Sequence, residues 1–494
     1  MQVGLETVES RYESGLKVIA SAILRITTVV GLLMYIPVLV AIYYGEAHEL
    51  HVFFWTATLT SVFSFTLSRL SPPPRSLTIG EALFVSGLGW IFVSIIGGIP
   101  YVFTIHMTWI DAFFETMSGF TTTGMTLIKV IEGTPYSVLF WRAFTQWLGG
   151  AGIIMLFIII IISTTRDVSL WRLYTAEARD VRIRASTLGT VKRIWLIYLF
   201  YTLLAIFTLR ILGMSWFDAI AHSFTSLATG GFSTRTASIA AYHSLGIELA
   251  LVFFSFMGGV NFLAHYILFT KGAKKFLKYY EVKWALIIVA VSTTMMALDL
   301  AHFAGEPLPL GFRHAIFQSV SIMTTTGYTT ANINLWPSLS KFVLLVLMFV
   351  GGNMCSTGGA IKVGRVVIAM KAFLGQLKLM LLPRGAVRQV KINSQTLKNE
   401  EVLRIMGFIS GYMLIIVIGT FILTMFGYGA FQSLSAVASA QGNVGPCYLD
   451  LFKINEFSRL ILALLMWVGR LEVLPAVAIF MPSSWKHVLA KKVR

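Results

Sequence analysis

The chain has 494 residues, 56% of them apolar and 12% charged, with mean hydropathy +0.77 and net charge +17. This balance excludes a soluble globular protein and points to one polytopic, all-α membrane domain. The positive charges lie in loops between apolar runs and form no aromatic-interleaved face, so nucleic acid is not an expected partner; the lipid bilayer, with its anionic headgroups, is.

Residues 1–10 lack the basic-then-apolar pattern of a cleaved signal peptide, so the first apolar helix is expected to be retained. A spanning helix needs about 20 mostly apolar residues. The first two candidates, 18–44 and 52–70, form a hairpin that ends at Ser71-Pro-Pro-Pro-Arg75. A third span at 82–100 leads into a short amphipathic helix at 110–119, a Thr/Gly stretch, and another span at 141–162. The same order recurs at 194–212, 217–227 and 249–269, at 284–303, 312–323 and 342–370, and at 402–426, 431–441 and 460–480. Ten spans and four half-spans result. The implied units are a transmembrane hairpin (1–75), pore repeats at 76–165, 166–270 and 271–372, and a fourth repeat with a tail (373–494).

The half-spans are about ten residues, roughly 15 Å of helix against a ~30 Å hydrocarbon core. Lipid cannot satisfy free backbone groups, so each must dip in and return where protein or water surrounds it. Lys/Arg bias then sets the orientation. Arg166, Arg172, Arg179, Arg182, Arg184, Lys192 and Arg193 follow the first repeat, and Lys271, Lys274, Lys275, Lys278 and Lys283 the second. Lys362 through Lys398 and the tail Lys491, Lys492 and Arg494 complete one basic side, so both termini are expected in the cytoplasm.

Each half-span runs into a variant of one stretch. The copies are Ser118-Gly-Phe-Thr-Thr-Thr-Gly124, Thr225-Ser-Leu-Ala-Thr-Gly-Gly231, Ser321-Ile-Met-Thr-Thr-Thr-Gly327 and Ser439-Ala-Gln-Gly-Asn-Val-Gly445. A hydroxyl residue stands six positions before a glycine in all four. Internal repetition of this kind decides the architecture. A dehydrated cation needs several oxygens, and four extended strands with inward carbonyls around a pseudo-fourfold axis supply stacked rings of them. Glycine permits the backbone conformations that a Cβ forbids, and the negative ends of the short helices face the waiting cation.

With Gln146-Trp-Leu-Gly-Gly-Ala-Gly152, Phe256-Met-Gly-Gly-Val-Asn-Phe262, Ser356-Thr-Gly-Gly-Ala-Ile-Lys362 and Gly469-Arg-Leu-Glu472, the arrangement resembles the superfamily of potassium transporters that includes TrkH, KtrB and the plant HKT proteins. The leading hairpin resembles the TrkH branch. The resemblance covers nearly the whole chain and implies potassium as substrate, because all four copies carry the filter glycine. It implies a filter of Thr122, Thr123, Gly124, Thr229, Gly230, Gly231, Thr325, Thr326, Gly327, Asn443, Val444 and Gly445, with potassium held there. The fourth copy departs from the pattern in lacking threonine. The resemblance also implies a homodimer in the inner membrane, working on a ring of TrkA-type nucleotide-binding subunits. This chain has no nucleotide motif, and no bound cofactor is expected.

Two features lie below the filter. Gly351, Gly352, Asn353, Ser356, Thr357, Gly358 and Gly359 interrupt a span, and unwound backbone at that depth is tolerated only beside protein or water. It reads either as a glycine-rich helix crossing or as a loop that obstructs the cavity; the resemblance implies the loop. Arg470 sits inside the last span, where a central arginine costs about 2.5–3.5 kcal/mol. It reads either as half of a structural ion pair or as a charge in the pore that holds the loop shut. Glu472, two residues on, points away from it on a helix and must pair elsewhere. Lys362 is expected to be solvated at the cytoplasmic mouth. Glu115, His222 and Gln318, at equivalent places on three half-spans, are expected to brace them. Cys355 and Cys447 form neither a CxxC pair nor a metal cluster and read as small fillers.

Channel-like potassium uptake is the leading function. The alternative is a sodium- or proton-coupled secondary transporter for another cation or small solute. An enzyme has no support in the sequence: there is no paired His/Cys ligand set, nucleophile elbow or phosphate loop.

Overall fold

The computed structural model describes residues 15–70, 77–152, 187–381, 383, 389–392, 395–482 and 484–485. Apart from one two-stranded hairpin (Lys391–Ile392 with Gln395–Thr396), its regular elements are helical. The leading hairpin is α1 (Gly15–Leu33), α2 (Tyr35–Tyr44) and α3 (Ala47–Leu70). Small residues let its arms approach: Thr27 donates to Ser64 Oγ at 2.9 Å, and Gly31 lies against the Ser61 backbone. Next come α4 (Ile79–Thr104), α5 (Trp109–Phe120) and α6 (Tyr136–Ala151). A capping box between Thr78 and Glu81 starts α4. The remainder of the span expected at 141–162, and Arg166 through Arg184, lie outside the described residues, as do Arg384, Arg388 and the basic tail.

The second and third groups are α7 (Thr187–Ile211), α8 (Trp216–Leu227), α9 (Leu245–Gly258), α10 (Phe262–Lys271) and α11 (Ala273–Leu277), then α12 (Tyr280–Phe303), α13 (Leu308–Met323), α14 (Ser338–Val350) and α15 (Val363–Leu379). The last is α16 (Asn399–Met425), α17 (Ala430–Gly442), α18 (Glu456–Arg470) and α19 (Leu474–Phe480). Among the described residues six helices are long and apolar enough to cross a membrane, seven if α9 and α10 count as one bent span. Their outward faces are apolar: Leu203, Phe207 and Ile211 on α7, and Leu414, Val417 and Phe421 on α16, are exposed. Hydroxyls, amides and carboxylates lie inside instead, the reverse of a soluble protein. The chain is a multi-pass membrane protein.

Two spans expected to be continuous are broken. Residues 249–269 bend by 103° between α9 and α10. A Cβ at Gly258 would sit 2.5 Å from the Leu227 carbonyl oxygen, and the Asn261 side chain accepts from Leu263 N at 2.8 Å to cap a new helix. Residues 460–480 break after Arg470, where Glu472 (φ 53°) and Val473 (φ 66°) take left-handed conformations. Arg470 therefore ends a helix; it is not in the middle of one. The break expected at 351–359 is present and runs from α14 to α15.

Candidate ion pathway

The four short helices, α5, α8, α13 and α17, are 12, 12, 16 and 13 residues long. At 1.5 Å per residue they reach about 18–24 Å, too short to cross. Thr108 and Ser215 cap α5 and α8 by accepting from Asp111 N (3.2 Å) and Asp218 N (3.0 Å). All four then turn in the same way. Thr122, Thr229, Thr325 and Asn443 have φ between 52° and 61°, followed two residues later by Gly124, Gly231, Gly327 and Gly445, also at positive φ.

The residue that opens each stretch fastens this turn through its backbone. The carbonyls of Ser118, Thr225, Ser321 and Ser439 accept from Thr123 N, Gly230 N, Thr326 N and Val444 N at 2.8–2.9 Å. Two of the side chains also reach forward: Ser118 Oγ donates to Met125 O at 2.6 Å and Ser321 Oγ to Tyr328 O at 2.8 Å. In those two copies backbone and side chain together fasten both ends of the stretch to one residue, whereas Thr225 Oγ1 donates back to Ala221 O and Ser439 Oγ has no partner among the described residues.

The stretches close on one another in chain order. A Cβ at Gly124 would run into the Gly230 carbonyl oxygen, one at Gly231 into that of Thr326, and one at Gly327 into that of Val444. At Gly445 it would lie 2.8 Å from the Thr123 oxygen, which completes the circuit. Each glycine is thus required twice, by φ and by the neighbouring carbonyl. Asn443, the residue that departs most from threonine, ties the fourth copy to the first by donating to Thr123 Oγ1 (3.0 Å) and Met466 O (2.9 Å).

Below the circuit lies the 351–362 segment. Gly359 N donates to Thr325 Oγ1 at 3.0 Å, Thr229 Oγ1 donates to Thr357 Oγ1 at 3.0 Å, and Arg470 Nη1 donates to Thr122 Oγ1 at 3.3 Å. Three of the four lowest residues of the circuit are engaged from this side. Arg470 also holds the segment itself, donating from Nη1 to Thr357 O at 2.8 Å, and ties it to α6 by donating from Nη2 to Gly149 O. The segment seats on the α9–α10 bend through Asn353 N to Gly259 O (2.8 Å) and Thr357 Oγ1 to Gly258 O (2.9 Å). Cys355, Ala360 and Lys362 in it have positive φ, the kind of strain held only where surroundings over-determine it. A cavity of about 30 Å³, room for a single water, lies between Trp90, Gly359, Lys362, Arg470 and Glu472.

On the other side, Glu115 accepts from Thr126 Oγ1 and Leu127 N, both at 2.9 Å, and pairs with Arg142 at 2.9 Å. His222 bonds to Asp218 O (2.8 Å) and Ser233 Oγ (3.0 Å). Both tie their short helix to the chain that leaves the circuit. Gln318 makes no side-chain hydrogen bond among the described residues.

The TrkH profile of cation transport proteins matches residues 90–487. The chain belongs to this family. The chain is 32% identical to the Trk system potassium uptake protein TrkH of Escherichia coli K12 over 493 residues, which covers 94% of this chain and 99% of that one. Identity to an uncharacterized cation transporter of Methanocaldococcus jannaschii is also 32%, over 94% of this chain and 96% of the relative. The crystal structure of the potassium transporter TrkH from Vibrio parahaemolyticus superposes with TM-score 0.85 at 29% identity, covering 95% of this chain and 99% of that one.

In this TrkH-family chain, several pathway residues escape sequence reasoning. Lys362 is not solvated: it is 7% exposed and pairs with Glu472 at 2.6 Å, and Arg365 makes a second bond to the same carboxylate. Glu472 pairs across 110 residues of sequence, with Lys362. Glu281, fully buried, accepts from Asn261 Nδ2 at 3.0 Å and from Met354 N at 3.4 Å, and so joins the α9–α10 bend to the 351–362 segment. Its only sequence signal was a carboxylate at the start of a span. Arg142 is 1% exposed, bonded to Glu115, and 4.1 Å over the Phe232 ring. Removing one member of a buried pair strands the other's charge at a cost of about 3–5 kcal/mol. Arg142→Met is therefore expected to lower the thermal midpoint in detergent sharply, and adding Glu115→Gln to recover part of the loss. An unchanged midpoint for the single variant would refute this.

Proposed function

We propose that this chain is the ion-conducting subunit of a potassium uptake system, passing K⁺ through a filter built by Thr122, Thr123 and Gly124; Thr229, Gly230 and Gly231; Thr325, Thr326 and Gly327; and Asn443, Val444 and Gly445. The observation that carries the reading is the closed circuit, in which each glycine abuts a carbonyl of the next copy. The reading includes ten spans, four repeats about a pseudo-fourfold axis, and a leading hairpin. Potassium is the substrate, and the proposal requires no resident cofactor.

The 351–362 segment and Arg470 form the gate in this reading. Support comes from their hydrogen bonds to Thr122, Thr229 and Thr325 at the lower face of the circuit. The relatives named as parts of a Trk system support a multi-subunit assembly, here a homodimer on a TrkA-type nucleotide-binding regulator. The remaining parts of the reading are the inner membrane and cytoplasmic termini, for which the basic loops argue.

The test is ion flux in vesicles offered K⁺, Rb⁺, Na⁺ and Li⁺, with Gly124→Ser run in parallel. K⁺ and Rb⁺ are expected to pass and Na⁺ and Li⁺ to be disfavoured, with Gly124→Ser narrowing the difference. Vesicles that carry no alkali metal would refute the proposal.

A further inference from the structure

The second copy of the filter stretch differs from its neighbours in its wall. In the first and third copies, two threonines that flank the left-handed residue bond to each other behind the strand: Thr121 to Thr123 and Thr324 to Thr326, each at 2.8 Å. In the second copy both are missing, with Ala228 and Gly230 in their places. Gln146, from α6, fills the gap. It is fully buried; its Nε2 donates to Gly230 O at 2.7 Å, and its Oε1 accepts from Phe232 N at 3.0 Å. A carbonyl and an N–H as partners allow one orientation of the amide. A Cβ at Gly230 would lie 2.8 Å from that Nε2, so the amide occupies the space that a side chain at 230 would take. α6 can approach because Gly150 packs on Ala228.

Resting on the filter reading above, we propose that Gln146 is a specificity-determining positioning residue, acting through the Gly230 carbonyl. That oxygen belongs to the level formed by Thr123, Gly230, Thr326 and Val444, each abutting the glycine of a neighbouring copy. Among the described residues, Gly230 O has a side-chain amide donor bonded to it. The donated N–H brings partial positive charge onto the oxygen and weakens its pull on a dehydrated cation. Discrimination between monovalent cations depends on the number and field strength of the coordinating carbonyls, and a weaker field penalises the smaller ion most. Gln146 thus tunes one quadrant of the ring toward the larger cation.

The experiment measures the Na⁺-to-K⁺ permeability ratio in vesicles for wild type, Gln146→Met, Gln146→Leu and Gly124→Ser. A neutral hydrogen bond is worth about 1 kcal/mol, so the ratio is expected to rise about fivefold in the Gln146 variants. A change in total flux with an unchanged ratio, in either Gln146 variant that incorporates, overturns the proposal. So does failure of both to assemble, which would make Gln146 a structural clamp alone. If Gly124→Ser shifts the ratio and the Gln146 variants do not, the filter stands without this role. If none of the variants shifts it, the filter reading itself fails.

Discussion

Arg470→Ala is expected to raise potassium flux about tenfold or more in vesicles that contain no regulatory partner. The guanidinium donates to Thr122 Oγ1 at the foot of the circuit, to Thr357 O in the segment below it, and to Gly149 O on α6. Hydrogen bonds from a charged donor contribute about 1.5–3 kcal/mol each, and 1.4 kcal/mol is tenfold in an equilibrium. Losing even one such bond moves the segment's position by that factor, and the repulsion a fixed positive charge exerts on a passing cation goes with it. Deleting residues 353–358 removes the proposed obstruction by another route and is expected to raise flux in the same way. Unchanged flux in correctly inserted Arg470→Ala protein would refute the gate. Loss of the protein from the membrane in both variants would assign Arg470 a structural duty.

Gly327→Ala carries the opposite expectation, loss of transport by about a hundredfold or more. The residue has φ 82°, and its Cβ would run into the Val444 carbonyl oxygen and lie 2.8 Å from Pro446 Cδ. Left-handed backbone costs about 1–2 kcal/mol for a residue with a Cβ. The clash adds to this and displaces an oxygen of the proposed filter. Gly45→Ala separates the two effects, because Gly45 has φ 72° but nothing within 4 Å of the added atom. That variant is expected to lose a little thermal stability and keep transport. Equal flux in Gly327→Ala and wild type would exclude the circuit as the ion path.

The frame of the site was readable in the sequence because its physical demands fall on few residues at fixed spacing. In the first and third copies the serine six positions before a glycine fastens, through its hydroxyl, a strand that turns through left-handed backbone. Apolar periodicity marked the short helices within two or three residues at most ends, as 110–119 against Trp109–Phe120 illustrates. It said nothing of where a span breaks. The α9–α10 bend and the break after Arg470 depend on a carbonyl arriving from another helix at Gly258 and on ion pairs formed at Glu472, and hydropathy registers neither. Lys362 was misread for the same reason: its partner is 110 positions away. Gln146 sat within a quoted motif, but the empty wall it fills lies in another copy, at Gly230.

In the gate proposed above, one feature sets how the pathway opens. Among the described residues, one of the four quadrants carries the segment that lies below the circuit, fastened at Gly259 on one flank and through Lys362 to Glu472 on the other. A channel of four identical chains must move four gates in concert, whereas here a lone hinge suffices for each pore. Opening of the proposed gate should then follow first-order statistics within one chain, and any steepness in its response must arise from outside that chain.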